Sequence, residues 1–211
     1  MVNVTYKYTP HARYATDLTN SLYTLVFDKL APSVDITTVS ASATVAVDKV
    51  FDHNFEVDAP FGAAIEVSAS GAYSGKVTIN GYDYLGQLMT EEITANGTTA
   101  VMGVKCFKYI SKITCASGAA VTVTLKRKLI LGLPYKTVAI NSEVRDGAKV
   151  TTSQIVAPVL TAGTATSSDP RGKLNLATYA AAAYVKLILI ADDYDSATVG
   201  GGLFGAPHYH A

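Results

Sequence analysis

Few residues in this 211-residue chain are of types that do acid–base or metal chemistry, and fewer stand close enough to cooperate. Glu91-Glu92 is a paired carboxylate, a pairing that shares a proton or holds a hard cation when its oxygens converge. In a strand, however, neighbours project to opposite faces, so these two cannot meet on one substrate or metal. Met89, Glu91 and Ile93 share a face, and this reading leaves Glu91 near a sheet rim. Asp192-Asp193 with Asp195 offers oxygen ligands after an apolar run, but without the glycine-fixed spacing and terminal Glu of an EF-hand loop. A solvated strand exit is the plainer reading. His208 and His210 present two imidazoles on one side of an extended tail, short of the set that zinc requires. His11 and His53 add no metal-like spacing, so only an oligomer axis would complete a site. The chain has no nucleophile elbow, phosphate loop, Cys-x-x-Cys pair or His-Glu-x-x-His run. We therefore expect no enzyme, and assign no catalytic residue, metal, cofactor or small-molecule substrate.

Cys106 and Cys115 stand nine residues apart. On one strand they would lie about 30 Å apart, far beyond the ~7 Å between Cα atoms that a disulfide tolerates. Only a hairpin inside CFKYISKITC would pair them, and that stretch has no Gly, Pro, Asn or Asp. Free thiols are expected, as in a protein made in a cytoplasm.

Composition narrows the class. Hydrophobic residues make up 49% and charged residues 16%, too apolar for a disordered chain. No apolar run approaches the ~20 residues of a membrane-spanning helix, and the Met-Val-Asn-Val start shows no secretory signal. Seventeen basic and seventeen acidic residues cancel, which argues against nucleic acid as a partner. The basic run Lys126-Arg127-Lys128 alternates faces in a strand and reads as a solvated or edge-protecting strand end. Thirteen tyrosines without a tryptophan suit wet contact surfaces.

Positioning falls to β-strands. Residues 1–35 form an N-terminal arm in which Leu18, Leu22, Leu25, Val26 and Leu30 fit a short helix; Leu22 to Phe27 fits a strand equally. Residues 36–131 read as the core of an antiparallel β-sandwich or barrel. Val39 to Val47, Ile65 to Ala69, Val77 with Ile79, and Val121 to Leu125 all alternate with polar residues. Turn signals separate them at Asp58 to Gly62, Ser70-Gly71, Tyr84 to Gly86, Asn96-Gly97 and Ser117-Gly118. Leu129 to Pro134 reads as a break. Residues 132–211 then complete or extend the sandwich, with strands expected at Tyr135 to Ile140, Gln154 to Leu160, Lys173 to Leu176 and Tyr184 to Ile190. The last is apolar on both faces except for Lys186, so it should be central or covered by the arm. TAGTATSSD is expected to be a loop, and the glycine-rich end a tail.

Two runs carry a resemblance. The first contains Gly81-Tyr82-Asp83, Leu85-Gly86-Gln87, a Thr-Glu-rich strand over Thr90 to Thr94, Asn96-Gly97, and an aromatic strand over Phe107 to Ile110. The second is Asp169-Pro170-Arg171-Gly172, followed by LILIADD and a glycine-rich end with Leu203, Phe204 and Gly205. Together they resemble virion structural proteins of tailed bacteriophages, most closely the auxiliary capsid proteins called decoration or cement proteins. The resemblance implies a protein that binds the outside of the head shell and stabilises it. Its partners would be the major capsid protein and itself, as a homotrimer, with no nucleic acid or membrane involved. It would be made in the host bacterial cytoplasm and reside on the capsid surface. Similar hairpins occur in tail-tube, neck and baseplate proteins, and a β-sandwich also serves glycan-binding adhesins.

Overall fold

Two-residue periodicity builds nearly everything in the computed structural model, which describes residues 7–8, 20–31, 33–134, 137–150, 155–156, 169, 171–176 and 183–192. The strands are β1 (Lys7–Tyr8), β2 (Asn20–Leu30), β3 (Ser33–Ser40), β4 (Val47–Glu56) and β5 (Ala63–Ala69). Next come β6 (Lys76–Tyr82), β7 (Leu88–Thr94), β8 (Val101–Phe107), β9 (Tyr109–Cys115) and β10 (Thr122–Gly132). The last are β11 (Thr137–Arg145), β12 (Ala148–Lys149), β13 (Ile155–Val156), β14 (Lys173–Asn175) and β15 (Ala183–Asp192). No helix occurs among the described residues, which are all-β and include a curled half-barrel.

Three antiparallel sheets result among the described residues. The first runs β13-β14-β10-β5-β8, with β3 also on β10; the second runs β4-β9-β6-β7; the third runs β1-β2-β15-β11-β12. Their inward residues form one cluster that joins Ile65, Val67, Ile79, Phe107, Ile113 and Leu125 to Phe27 and Leu187. Apolar burial on this scale is the main favourable term for such a fold.

The alternations over Ile65 to Ala69, Val77 with Ile79, and Val123 with Leu125 point inward as expected, and the predicted turns separate the strands. The third sheet closes one hairpin at Asp146-Gly147, whose φ values of 46° and 84° suit Asp and Gly in a tight β11–β12 turn. β15 lies in the middle of that sheet, between β2 and β11, which accounts for its apolar faces.

Four expectations change. The helix proposed for the arm is strand β2: Leu25 and Phe27 alternate into the core, and pairing with β15 outweighs a weak helical spacing. Val39 to Val47 is not one strand, because the chain bends over Ala43, Thr44 and Val45 and leaves Val45 exposed. LILGLP is a break only at its end: Leu129 to Gly132 continue β10, where β14 takes over from β3 as its neighbour, and the chain leaves that sheet at Leu133-Pro134. Lastly, Lys126-Arg127-Lys128 is no edge, since β10 is hydrogen-bonded on both sides, to β3 and to β5. TAGTATSS and the tail after Asp192 lie outside the described residues.

The basic run shows how one strand treats two faces. Lys126 and Lys128 reach across the wet face to Asp35 and Glu66, both at 3.3 Å. Arg127 points inward and is fully buried, and burial lowers its pKa against the opposing charge of Asp58. Its Nη1 donates to the Ala31 carbonyl at 2.7 Å, while Nη2 stays 3.8 Å from the exposed Asp58 carboxylate. Neither Nε nor Nη2 makes a hydrogen bond among the described residues. A buried cation so incompletely satisfied adds little stability over an apolar side chain of similar size. Arg127→Met should therefore leave urea stability unchanged or raise it by about 1 kcal/mol; a loss above about 2 kcal/mol would contradict this reading.

Candidate functional site: a buried ionic cluster

Eight residues with polar or charged side chains are buried among those described, and six of them gather at one place: Asp83, Glu91, Lys105, Asp169, Arg171 and Lys173. Their three acids and three bases balance. The cause of the gathering is a defect in the first sheet. β8 pairs with β5 as Ala64↔Cys106 and then Glu66↔Met102, so Ile65 alone faces Gly103, Val104 and Lys105. Those bulged residues lose ladder partners inside a dry interior, where an unpaired backbone group is costly.

Side chains supply what the ladder does not. From β7 of the second sheet, Glu91 accepts the Val104 N–H and, at 3.4 Å, the Lys105 N–H. Lys173 donates to the Val104 carbonyl at 2.7 Å, and Asp169 accepts the Cys106 N–H at 3.2 Å. Lys105 turns back to β7 and donates to the Thr90 carbonyl at 2.8 Å. Gly103 makes the fit possible: a Cβ there would stand 2.7 Å from Glu91 Oε2 and 3.0 Å from the Ile65 carbonyl oxygen.

The cluster extends into the turn between β6 and β7. Asp83 Oδ1 accepts the Leu85 and Gln87 N–H groups, both at 2.8 Å, an arrangement that side-chain oxygens of Asp favour in turns. Its Oδ2 accepts from Arg171 Nη2 at 2.8 Å. Arg171 also lies 5.1 Å from the centre of the Tyr84 ring, and Phe61 meets that ring edge-on at 5.2 Å. The Tyr84 hydroxyl donates to the Pro134 carbonyl. Asp169 Oδ1 accepts the Arg171 N–H at 3.0 Å.

Burial governs the titration of the cluster. It pushes the Glu91 carboxyl up to about 7, opposed by the Val104 and Lys105 N–H groups and the charges of Lys105 and Lys173. The Lys105 amine is pulled below its usual value by burial, against Glu91 and Asp169. Burial and the Asp169 charge together drive the Cys106 thiol well above its ordinary range, which makes it a poor nucleophile.

The expected face-sharing of Met89, Glu91 and Ile93 holds, but Glu91 is not at a rim. It is sealed between sheets, because β8 lies over β7 at this point. Glu92 faces the other way and pairs with Lys76 at 2.8 Å. Cys106 and Cys115 are free and buried, on strands of two different sheets that meet at Lys108. That residue is bolted in place by the Glu56 carboxylate at 2.7 Å and the Ala59 carbonyl at 2.9 Å. His53 is exposed on β4. Asp193, Asp195, His11, His208 and His210 lie outside the described residues, and Asp192 is the last residue of β15. Among the described residues no three His, Cys, Asp or Glu side chains are grouped to hold a metal. Tyr73 and Tyr84 turn their hydroxyls to carbonyls of the same chain, whereas Tyr184 is exposed.

Sequence reasoning missed this cluster. The available signal was Glu91 between two apolar residues on a dry face, together with Lys105 in the otherwise apolar strand β8. Every charged group here is turned on main chain or on an opposite charge, so the arrangement fastens sheets together. Arg171→Met would leave Asp83 buried without its cation, and should cost on the order of 3–5 kcal/mol in urea unfolding. Paired with Asp83→Asn, it should show a coupling of at least about 1 kcal/mol; additive losses would refute the pair as a unit. Gly103→Ala should cost about 2 kcal/mol by displacing Glu91, measurable in the same way. Compared with models of protein families, with curated proteins and with solved structures, the chain matches none of them.

Proposed function

We propose that this chain is a structural component of a tailed-phage virion, a capsid decoration protein that binds the outside of the head shell and stabilises it. The observation that carries the reading is the meeting of the two runs on which the resemblance rests. Asp83 of the Gly-Tyr-Asp turn and Arg171 of the Asp-Pro-Arg-Gly run form a buried ion pair at 2.8 Å, although 88 positions separate them in the chain. The resemblance thus falls on one physical unit, the fastener of the fold, and not on two unrelated turns. A cement protein acts through contact area and rigidity, and a charge-balanced joint between sheets provides rigidity. β4 offers contact: among the described residues it ends the second sheet, and Val50 on it is 66% exposed. An outer strand of this kind accepts a further strand from a partner or a second copy.

The partners on this reading are the major capsid protein and two further copies in a homotrimer. Electron microscopy of purified particles, with the chain carrying a compact label, tests the location. Label over the head shell is expected, and recovery as a trimer in light scattering should accompany it. Label confined to the tail or baseplate would reassign the chain to those parts, and absence from all particles would overturn a virion role.

A further inference from the structure

Arg127 is the one buried cation, among the described residues, whose opposing acid stands in water. Arg171 meets the buried Asp83, and Lys105 and Lys173 share their surroundings with the buried Glu91. The Arg127 side chain is 1% exposed, whereas that of Asp58, 3.8 Å away, is 57% exposed. Such a separation is too long for a hydrogen bond, and water answers most of the Asp58 charge. Val34 and Ile65, which oppose Arg127 on β3 and β5, bring no acceptor side chain. Asp35 and Glu66 are taken by Lys126 and Lys128 on the other face.

The donors left over have a particular geometry. Nη1 is engaged by the Ala31 carbonyl, while Nε and Nη2 make no hydrogen bond among the described residues. Those two nitrogens form one edge of the planar guanidinium, with parallel N–H bonds that match the two oxygens of a carboxylate. Water on that edge would serve the donors and leave the buried charge unanswered; an anion does both. We propose that the Nε–Nη2 edge of Arg127 is a binding site for a small monovalent anion, best a planar one with two oxygens such as formate, held beside Asp58.

Asp58 sets the strength of the site. Its carboxylate repels an incoming anion, so affinity rises when that charge is removed. It is also the one exposed acid beside Nη2, which puts the edge a single side chain away from solvent. Through Arg127 the bound anion acts on three places at once: the centre of the first sheet, the β2–β3 link at Ala31, and the turn after β4 that carries Asp58. An anion that needs this arrangement binds the folded chain alone, and stabilises it by mass action. The site requires no partner protein and stands apart from the virion reading.

Urea unfolding of the full chain and of Arg127→Met, in sodium formate from zero to about 0.5 M, tests the site. The unfolding constant of the unaltered chain should fall about tenfold further than that of Arg127→Met, since general salt effects are common to both. A difference of about threefold or more in that sense supports the site, and a smaller or opposite one overturns it. Sodium chloride should produce a smaller difference than formate; an equal one overturns the two-oxygen geometry. If Arg127→Met does not fold, Asp58→Asn decides, because it keeps Arg127 and removes the competing charge. The formate effect should then reach its midpoint at about a threefold lower concentration than in the unaltered chain, and an unchanged midpoint overturns the proposal.

Discussion

A stretch of β8 that cannot hydrogen-bond to its own sheet dictates the middle of this protein. Ile65 alone opposes Gly103, Val104 and Lys105, so main-chain donors and an acceptor are left over in a region closed to water. Glu91 and Lys173 bond to Val104, Glu91 also to the Lys105 N–H, and Asp169 holds the adjoining Cys106 N–H. Each of those side chains brings a charge, and a buried charge requires its opposite nearby. Lys105, Arg171 and Asp83 complete the balance, and Asp83 in turn holds the β6–β7 turn. One irregularity in a ladder thereby ties together two sheets, a hairpin turn and the 169–173 segment.

The two buried arginines make the contrast plain. Arg171 meets an aspartate that is as buried as itself, with an aromatic ring against its plane, so its desolvation is compensated. Arg127 meets a carbonyl and a distant, solvated carboxylate, and two of its nitrogens make no hydrogen bond among the described residues. Equal burial therefore means different things in the two places. One arginine is a member of the fastening network, and the other is a tolerated cost beneath a strand whose neighbours are already well paired.

Polar groups in the cluster are turned on one another and on main chain. Among the described residues β4 is an edge of the second sheet, with Val50 and His53 exposed and a register shift between Val50 and Phe55 that interrupts its regular pairing. Bulged edges resist indiscriminate strand addition.

Much of the fold was legible from residue order alone. Alternation at Ile65 to Ala69 and at Val77 with Ile79 depends only on neighbours two positions apart, and the Gly and Asn turns depend on local backbone freedom; both survive in the structure. Sheet membership did not follow, because a period of two says which side of a strand is dry and nothing about which strand lies beside it. Leu22 to Phe27 fitted helix or strand until β15 settled the matter by pairing with β2. Glu91 illustrates the limit best. Its face was readable from Met89 and Ile93, but whether that face met water or β8 depended on β8 crossing β7, and on a bulge 13 residues further along the chain. Long-range packing decides which charges are sealed, since burial and charge balance belong to the assembled sheets and to no single segment.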